Sequence, residues 1–298
     1  MINLNTSKIV VPVDFSETAS RAIKHGAFIA QFLKGEIVLA HVIKTSVYLD
    51  MLLPVLQMED LSGITKIVQE RLEEIADGVR KEYGIKVSTI VSTGKVPAEL
   101  VNIAKDYQAG MIVMGTQGYS AVEEFLMGSN AYRVISKSPV PVMTVRKETD
   151  KFGYKNIVLP VDSSEHSRQK VDTTINFAEK FAAKLHIIGI LGNDEGSYEP
   201  NLRTIVHQVE ELAKAKGVSV ESKVCFAKNR AHETLKYAKA VQADLIVTMT
   251  DQNAELSSLL LGTYAHQLIN LAKAPVLSFP PERHNENISL TFAGLELN

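Results

Sequence analysis

Short apolar runs and longer amphipathic stretches alternate along this chain. Ile9–Val13 is continuously apolar, as in a strand buried on both faces. Ser16 or Glu17 then opens a helix that sets Ala19, Ala22, Ile23, Ala27, Ala30 and Leu33 on one side. Ile37–Ile43 reads as a second buried strand. Leu61, Ile64, Val68, Leu72, Ile75 and Val79 mark a long amphipathic helix. Val87, Thr89 and Val91 alternate as a strand nearer the sheet edge. Pro97 suits the first turn of a helix that turns Leu100, Val101 and Ala104 inward. Met111–Met114 predicts a buried strand, Ser129–Ser136 a helix and Val140–Val145 a closing strand.

The pattern then repeats. Ile9-Val-Val-Pro-Val-Asp-Phe-Ser-Glu17 returns as Ile157-Val-Leu-Pro-Val-Asp-Ser-Ser-Glu165, at an offset of 148. Ala109-Gly-Met-Ile-Val113 returns as Ala243-Asp-Leu-Ile-Val247 at an offset of 134, and Gly128-Ser129 and Pro141-Val142 return at that same offset. Matching ends with different offsets mean a duplication with one local length change, and the extra residues fall in the first copy around Lys44 to Leu61. Strands of the second copy are expected near 157–161, 185–191, 218–225, 245–249 and 276–279. Such alternation predicts an α/β fold: two tandem doubly wound domains, each an open, mostly parallel sheet with helices on both faces. The expected units are 1–147 and 155–281, with a charged linker over Lys147–Tyr154 and a tail over 282–298.

Composition changes this picture little. The chain has 298 residues, 45% hydrophobic and 22% charged, with a formal net charge of -2. Two domains of that size can each bury a core. There is no basic field for nucleic acid. The single cysteine, Cys225, excludes an intrachain disulfide and a cysteine-based zinc site, and fits a reducing compartment. No signal-peptide pattern opens the chain and no apolar run is long enough to span a bilayer, so a cytoplasmic address is expected and no membrane partner.

Ligands of doubly wound sheets bind beyond the carboxyl ends of the strands, where strand order reverses. Three segments of the first copy are expected to meet there. Pro12-Val13-Asp14 ends the first strand; Asp14 would accept hydrogen bonds from a base or ribose, or else cap the following helix, a task Ser16 could also perform. Gly115-Thr-Gln-Gly118 follows the buried strand Met111–Met114. Gly128-Ser129 opens the next helix. The spacing is Gly-x2-Gly-x9-Gly-Ser. Glycines let backbone approach a bulky anion and adopt positive φ, while a helix N-terminus offers open N–H groups and a favourable dipole. Neither the Walker A sequence nor Gly-x-Gly-x2-Gly after a first strand is present.

On these residues the chain resembles the universal stress proteins in a tandem, two-domain form, and the resemblance covers nearly all of both halves. The ATP-binding branch of that family carries Gly-x2-Gly-x9-Gly-[Ser/Thr], which the first copy matches. The resemblance implies a sheet order of 3-2-1-4-5 in each five-stranded domain and a pseudo-two-fold packing of the halves, an intramolecular pseudo-dimer; further homodimerisation stays open. It implies that Pro12, Asp14 and Val42 line the adenine and ribose, and that Gly115, Gly118, Gly128, Ser129 and Asn130 wrap the triphosphate beside Met114. The cofactor expected is ATP, or ADP or AMP, with Mg²⁺ as an optional companion. The second copy departs: Met249 and Gln252 replace Gly115 and Gly118, and Ile190 replaces Val42, while Asp162 and Gly262-Thr263 remain. It reads as a poor ATP site, kept for packing or another ligand.

Other features point less far. Six histidines lie in the second half, but no His-x3-His pair supports a metal site. His186 sits in a buried-strand pattern, as a core or rim residue. The apolar segment 48–58 is read as a piece packing against another surface, with a nucleotide lid as the alternative, and the partly apolar tail as a strand or a cover for an interface. No catalytic residue is assigned. The leading function is a cytoplasmic, nucleotide-dependent stress-response binding module; the alternatives are a slow ATP hydrolase and an interaction protein that binds no nucleotide.

Overall fold

The computed structural model describes residues 8–44, 62–117, 127–149, 151–192, 201–250 and 261–281, without the side chains of residues 165 and 166. Gly118, Gln252, the segment 48–58 and the tail from 282 lie outside the described residues.

In the first half, β1 (Lys8–Pro12), β2 (Glu36–Lys44), β3 (Lys86–Gly94), β4 (Met111–Gly115) and β5 (Val142–Val145) alternate with α1 (Glu17–Leu33), α2 (Ser62–Tyr83), α3 (Val96–Asp106) and α4 (Ser129–Lys137). The second half gives β6 (Asn156–Val161), α5 (Glu165–Arg168), α6 (Val171–Lys180), β7 (Lys184–Leu191), α7 (Leu202–Ala215), β8 (Val220–Phe226), α8 (Arg230–Ala240), β9 (Leu245–Met249), α9 (Thr263–Leu271) and β10 (Val276–Phe279). The expected elements are present. The closing strand starts at Val142 rather than Val140 because Pro141 cannot donate to the ladder.

All ten strands form one sheet, ordered β3-β2-β1-β4-β5-β10-β9-β6-β7-β8. Each half therefore has the order 3-2-1-4-5, and within each half the pairs are parallel. The halves join through one antiparallel pair, with Val276 opposite Thr144, Leu277 opposite Met143 and Ser278 opposite Val142. That join gives the expected pseudo-two-fold relation and makes the two closing strands interior to the sheet.

Helices cover both faces. One apolar layer joins α1, α2, α6 and α7 to the sheet through residues such as Ala22, Leu72, Phe177 and Val206. The opposite layer does so for α3, α4, α8 and α9 through Leu100, Val134, Ala238 and Leu268. The linker is more than a charged tether. Tyr154 is fully buried, and its hydroxyl stands 2.7 Å from His25 Nδ1 on α1. Its ring meets Phe181 of α6 edge-on, with centroids 5.4 Å apart. Phe32 of α1 stacks on Phe181 at 4.3 Å. Aromatic rings thus fasten the two halves on one face of the sheet, each buried ring contributing roughly 1.5–3 kcal/mol.

Two hydrogen bonds fasten the other face reciprocally. Met127, just before Gly128, donates its N–H to Asn270 Oδ1 of α9 at 2.9 Å. Leu261, just before Gly262, donates its N–H to the hydroxyl of Tyr132 on α4 at 3.2 Å. Each half therefore holds the residue just before the glycine that precedes the other half's α4 or α9.

Candidate functional site

Strand order reverses between β1 and β4, and a cleft of about 450 Å³ opens there. Its lining includes Pro12, Asp14, Val42, Met114, Gly115, Gly128, Ser129 and Asn130. The three segments singled out in the sequence thus meet in one place, as do all the assigned residues except Gly118, which lies outside the described residues. The position is the one that parallel strands and their crossovers leave open at a switch point.

The entrance is built by capping. Ser16 is the N-cap of α1, its Oγ accepting the Ala19 N–H at 3.1 Å. Asp14 does not cap the helix. Its Oδ1 accepts the N–H of Ser16 at 3.0 Å and the Ser16 hydroxyl at 2.5 Å, which fixes the cap. Asp14 is nevertheless exposed at the cleft. Phe15, between them, has φ 63°, a left-handed conformation rare for a bulky residue. Its ring lies 4.9 Å from that of His41. His41 also lines the cleft, and its Nδ1–H donates to the carbonyl of Val13 at 2.6 Å. Nothing in the sequence had marked His41, which lies in a strand of mainly apolar residues.

The glycines act differently from expectation, and two points are corrected. Neither Gly115 nor Gly128 has positive φ; Gly128 has φ −62°. Gly115 is required by a close approach instead. A Cβ there would stand 2.9 Å from the Cβ of Thr18 and 3.3 Å from its carbonyl carbon. The Thr18 hydroxyl donates to the carbonyl of Gln117 at 2.8 Å, which ties the loop after β4 to the first turn of α1. Nor is the Gly128 N–H open to a ligand, since it donates to the Thr116 carbonyl at 2.8 Å. The open donors are those of the first turn of α4, at Ser129, Asn130 and Ala131, where the helix has no side-chain cap. At Gly128 a Cβ would meet, among the described residues, only the Thr116 carbonyl oxygen, at 3.5 Å. The protein's own packing does not demand glycine there.

One wall of the cleft is apolar, from Val42, Val96, Leu100 and Met114. The opposite end holds the first turn of α4. An apolar slot beside a helix N-terminus fits a flat ring carrying phosphates, and the volume lies within the usual range for small-molecule pockets.

The second half has a cleft in the equivalent place, of about 200 Å³. It retains the capping pattern: Asp162 Oδ1 accepts from Ser164 N–H at 2.9 Å, and Ser164 Oγ accepts from Ser167 N–H at 3.0 Å. Its walls differ. Arg230 stands where the first half has Val96, Thr248 where it has Met114, and Tyr264 where it has Asn130. Met249, at the position of Gly115, lines the cleft and is buried in the core. The helix after β6 is interrupted at Gln169 and Lys170, between α5 and α6, whereas α1 is continuous.

The remaining candidates are structural or isolated. His186 is buried, and Nε2 faces Asn156 Oδ1 at 3.1 Å. Burial, with the neighbouring Lys184 charge, lowers its pKa. Burial pushes the half-buried Cys225 thiol up. Among the described residues, no group of three metal-ligating side chains forms, and no helix is long and apolar enough to cross a membrane.

Fold and cleft define a class: a tandem of doubly wound α/β domains, joined edge to edge, with a cleft at each switch point. The chain belongs to the universal stress protein family, whose model matches residues 5–146 and again 153–280. It is 34% identical over 143 residues to universal stress protein MJ0531 of Methanocaldococcus jannaschii, a match covering 47% of this chain and 82% of that protein. A universal stress protein of Mycolicibacterium smegmatis is 24% identical over 294 residues, covering 92% of this chain and 97% of that one. Among solved structures, a universal stress protein from Archaeoglobus fulgidus superposes with a TM-score of 0.74 at 19% identity, covering 92% of this chain and 98% of that chain.

Proposed function

We propose that the first cleft binds an adenine nucleotide, and that the protein is a cytoplasmic stress-response module whose partners respond to nucleotide occupancy. The observation that carries this reading is the pairing of an apolar wall with an uncapped helix N-terminus in one cleft at the switch point. Val42, Val96, Leu100 and Met114 would flank the base, with Pro12 at its edge. Asp14, at the mouth, would accept from ribose hydroxyls. The N–H groups of Ser129 and Asn130, with the Ser129 hydroxyl, would hold phosphate oxygens. Gly128 would leave the backbone open for the phosphates to approach; Gly118, assigned to the triphosphate by the family motif, lies outside the described residues. Mg²⁺, where present, would be carried by the phosphates, and ATP, ADP and AMP are all candidate ligands. The two halves, 1–147 and 155–281, would act as one pseudo-dimeric body.

The test is isothermal titration calorimetry of ATP, ADP and AMP against the full chain and its Gly128→Val variant. The variant backbone can keep its extended conformation, and among the described residues its Cβ meets nothing closer than 3.5 Å. The reading predicts at least a tenfold loss of affinity, about 1.4 kcal/mol, with the melting temperature nearly unchanged. Equal affinity in the two proteins, or no binding by either, would reject it.

A further inference from the structure

Lys170 is only 3% exposed, yet among the described residues no carboxylate pairs with it. Its Nζ donates to the carbonyl of Ser167 at 2.9 Å and to Ser167 Oγ at 2.8 Å. An ammonium has three N–H donors, so one remains. Ser167 is also 3% exposed. Its Oγ accepts from Lys170 and from the Asp162 N–H at 3.2 Å, which occupies both lone pairs. The hydroxyl proton of Ser167 has no acceptor among the described residues. Two buried donors, one of them cationic, thus border the second cleft without full partners.

The rest of the lining points the same way. Arg230 adds a second cation to the cleft. Asp162 is the one carboxylate there among the described residues; it attracts Lys170 from beyond ion-pair distance, and its Oδ1 is held by Ser164. Thr234 gives its hydroxyl proton to the Arg230 carbonyl at 2.9 Å, so at its 2.8 Å contact with Tyr264 the tyrosine is the donor. That bond holds the phenol ring in the space that Asn130 leaves open in the first half. The buried ammonium replaces Ala22, which belongs to the apolar core there. A buried unpaired cation costs several kcal/mol, a cost that a bound anion would offset.

We infer that the second cleft is a site for a small oxyanion of the phosphate or sulfate type, held by Lys170 Nζ, the Ser167 hydroxyl and Arg230. At about 200 Å³ the cleft falls below the usual range for organic ligands, which favours a compact ion over a nucleotide. Burial also pulls the Lys170 pKa down to about 8, so anion binding weakens as pH rises through that value. The inference does not depend on what the first cleft binds.

The probe is inorganic phosphate, titrated calorimetrically into the full chain at pH 7 and constant ionic strength, with sodium chloride as the ionic-strength control. The titration is run on the wild type and on Gly128→Val, Lys170→Met and Arg230→Gln. Saturable binding that survives Gly128→Val and falls at least tenfold in Lys170→Met supports the site. Arg230→Gln gives the same readout should Lys170→Met fail to fold. Three results would overturn it: no saturable binding at millimolar phosphate, binding lost with Gly128→Val, or affinity equal to wild type in both cation variants.

Discussion

The two clefts are the same piece of backbone lined by different chemistry. Both sit at the switch point of a 3-2-1-4-5 sheet, both keep an aspartate that fixes a serine cap, and both end at an uncapped helix after a glycine. The first is more than twice as large and has an apolar wall. The second is smaller, cationic and rich in hydroxyls. Duplication preserved the parts that make the fold close, which are strands, caps and helix ends, and left the lining side chains free to diverge. A cleft of this kind is best read residue by residue, because the scaffold alone says little about its contents.

The largest expected effect comes from moving the second copy's residue into the first. Gly115→Met forces a side chain against the first turn of α1, which already stands 2.9 Å from a Cβ at that position. Overpacking of this kind costs about 1–3 kcal/mol or more, so thermal denaturation should show a fall of several degrees, together with loss of nucleotide binding. An unchanged melting temperature would mean that Thr18 is not the constraint on residue 115.

Two buried bases, His25 in the first half and Lys170 in the second, have strongly lowered pKa values and respond to pH differently. His25 in the first half has its pKa lowered to about 4, chiefly by burial. The unfolded chain takes up that proton near pH 6.5, so stability falls as pH drops from about 6.5 to 4, by on the order of 3 kcal/mol. Denaturant unfolding across that range should show the slope, and His25→Gln should flatten it. Lys170 in the second half has its pKa lowered from 10.5 to about 8. Its buried charge penalises the folded state below pH 8, and the penalty fades as pH rises toward 10.5. Without added anion, Lys170→Met should therefore raise stability at pH 7 by on the order of 2 kcal/mol, and by less at pH 10. Equal effects at both pH values would show that packing, and not charge, governs the site.

The smallest effect tests the link between the clefts. Asn270→Ala removes the acceptor of the Met127 N–H and should cost about 1 kcal/mol. Because Met127 precedes Gly128, nucleotide affinity in the first cleft should fall a few-fold, although residue 270 belongs to the second half. Unchanged affinity would make the bond a structural brace only.

Much of this was legible in the chain. Continuous apolar runs such as Ile9–Val13 and Met111–Met114 marked interior strands, and the offsets of 148 and 134 revealed the duplication. The convergence of Asp14, Gly115 and Gly128 followed from motif spacing and the switch-point rule. What escaped depends on distances between remote residues. Gly115 looked like a residue chosen for positive φ, whereas its constraint is Thr18, almost a hundred positions earlier. Nothing in the sequence singled out Lys170, and the break between α5 and α6 has neither glycine nor proline to announce it. Tyr154 sat in a charged linker, and its burial follows from rings contributed by two separate helices.

The central claim is that one chain carries one nucleotide cleft and one cleft that excludes nucleotide. The most direct measurement is the stoichiometry of adenine nucleotide on the intact chain, by denaturing the purified protein after equilibration with Mg-ATP and quantifying what is released. The account predicts one nucleotide per chain. Two per chain would show that Met249 and Tyr264 do not close the second cleft, and none would show that the first is not a nucleotide site.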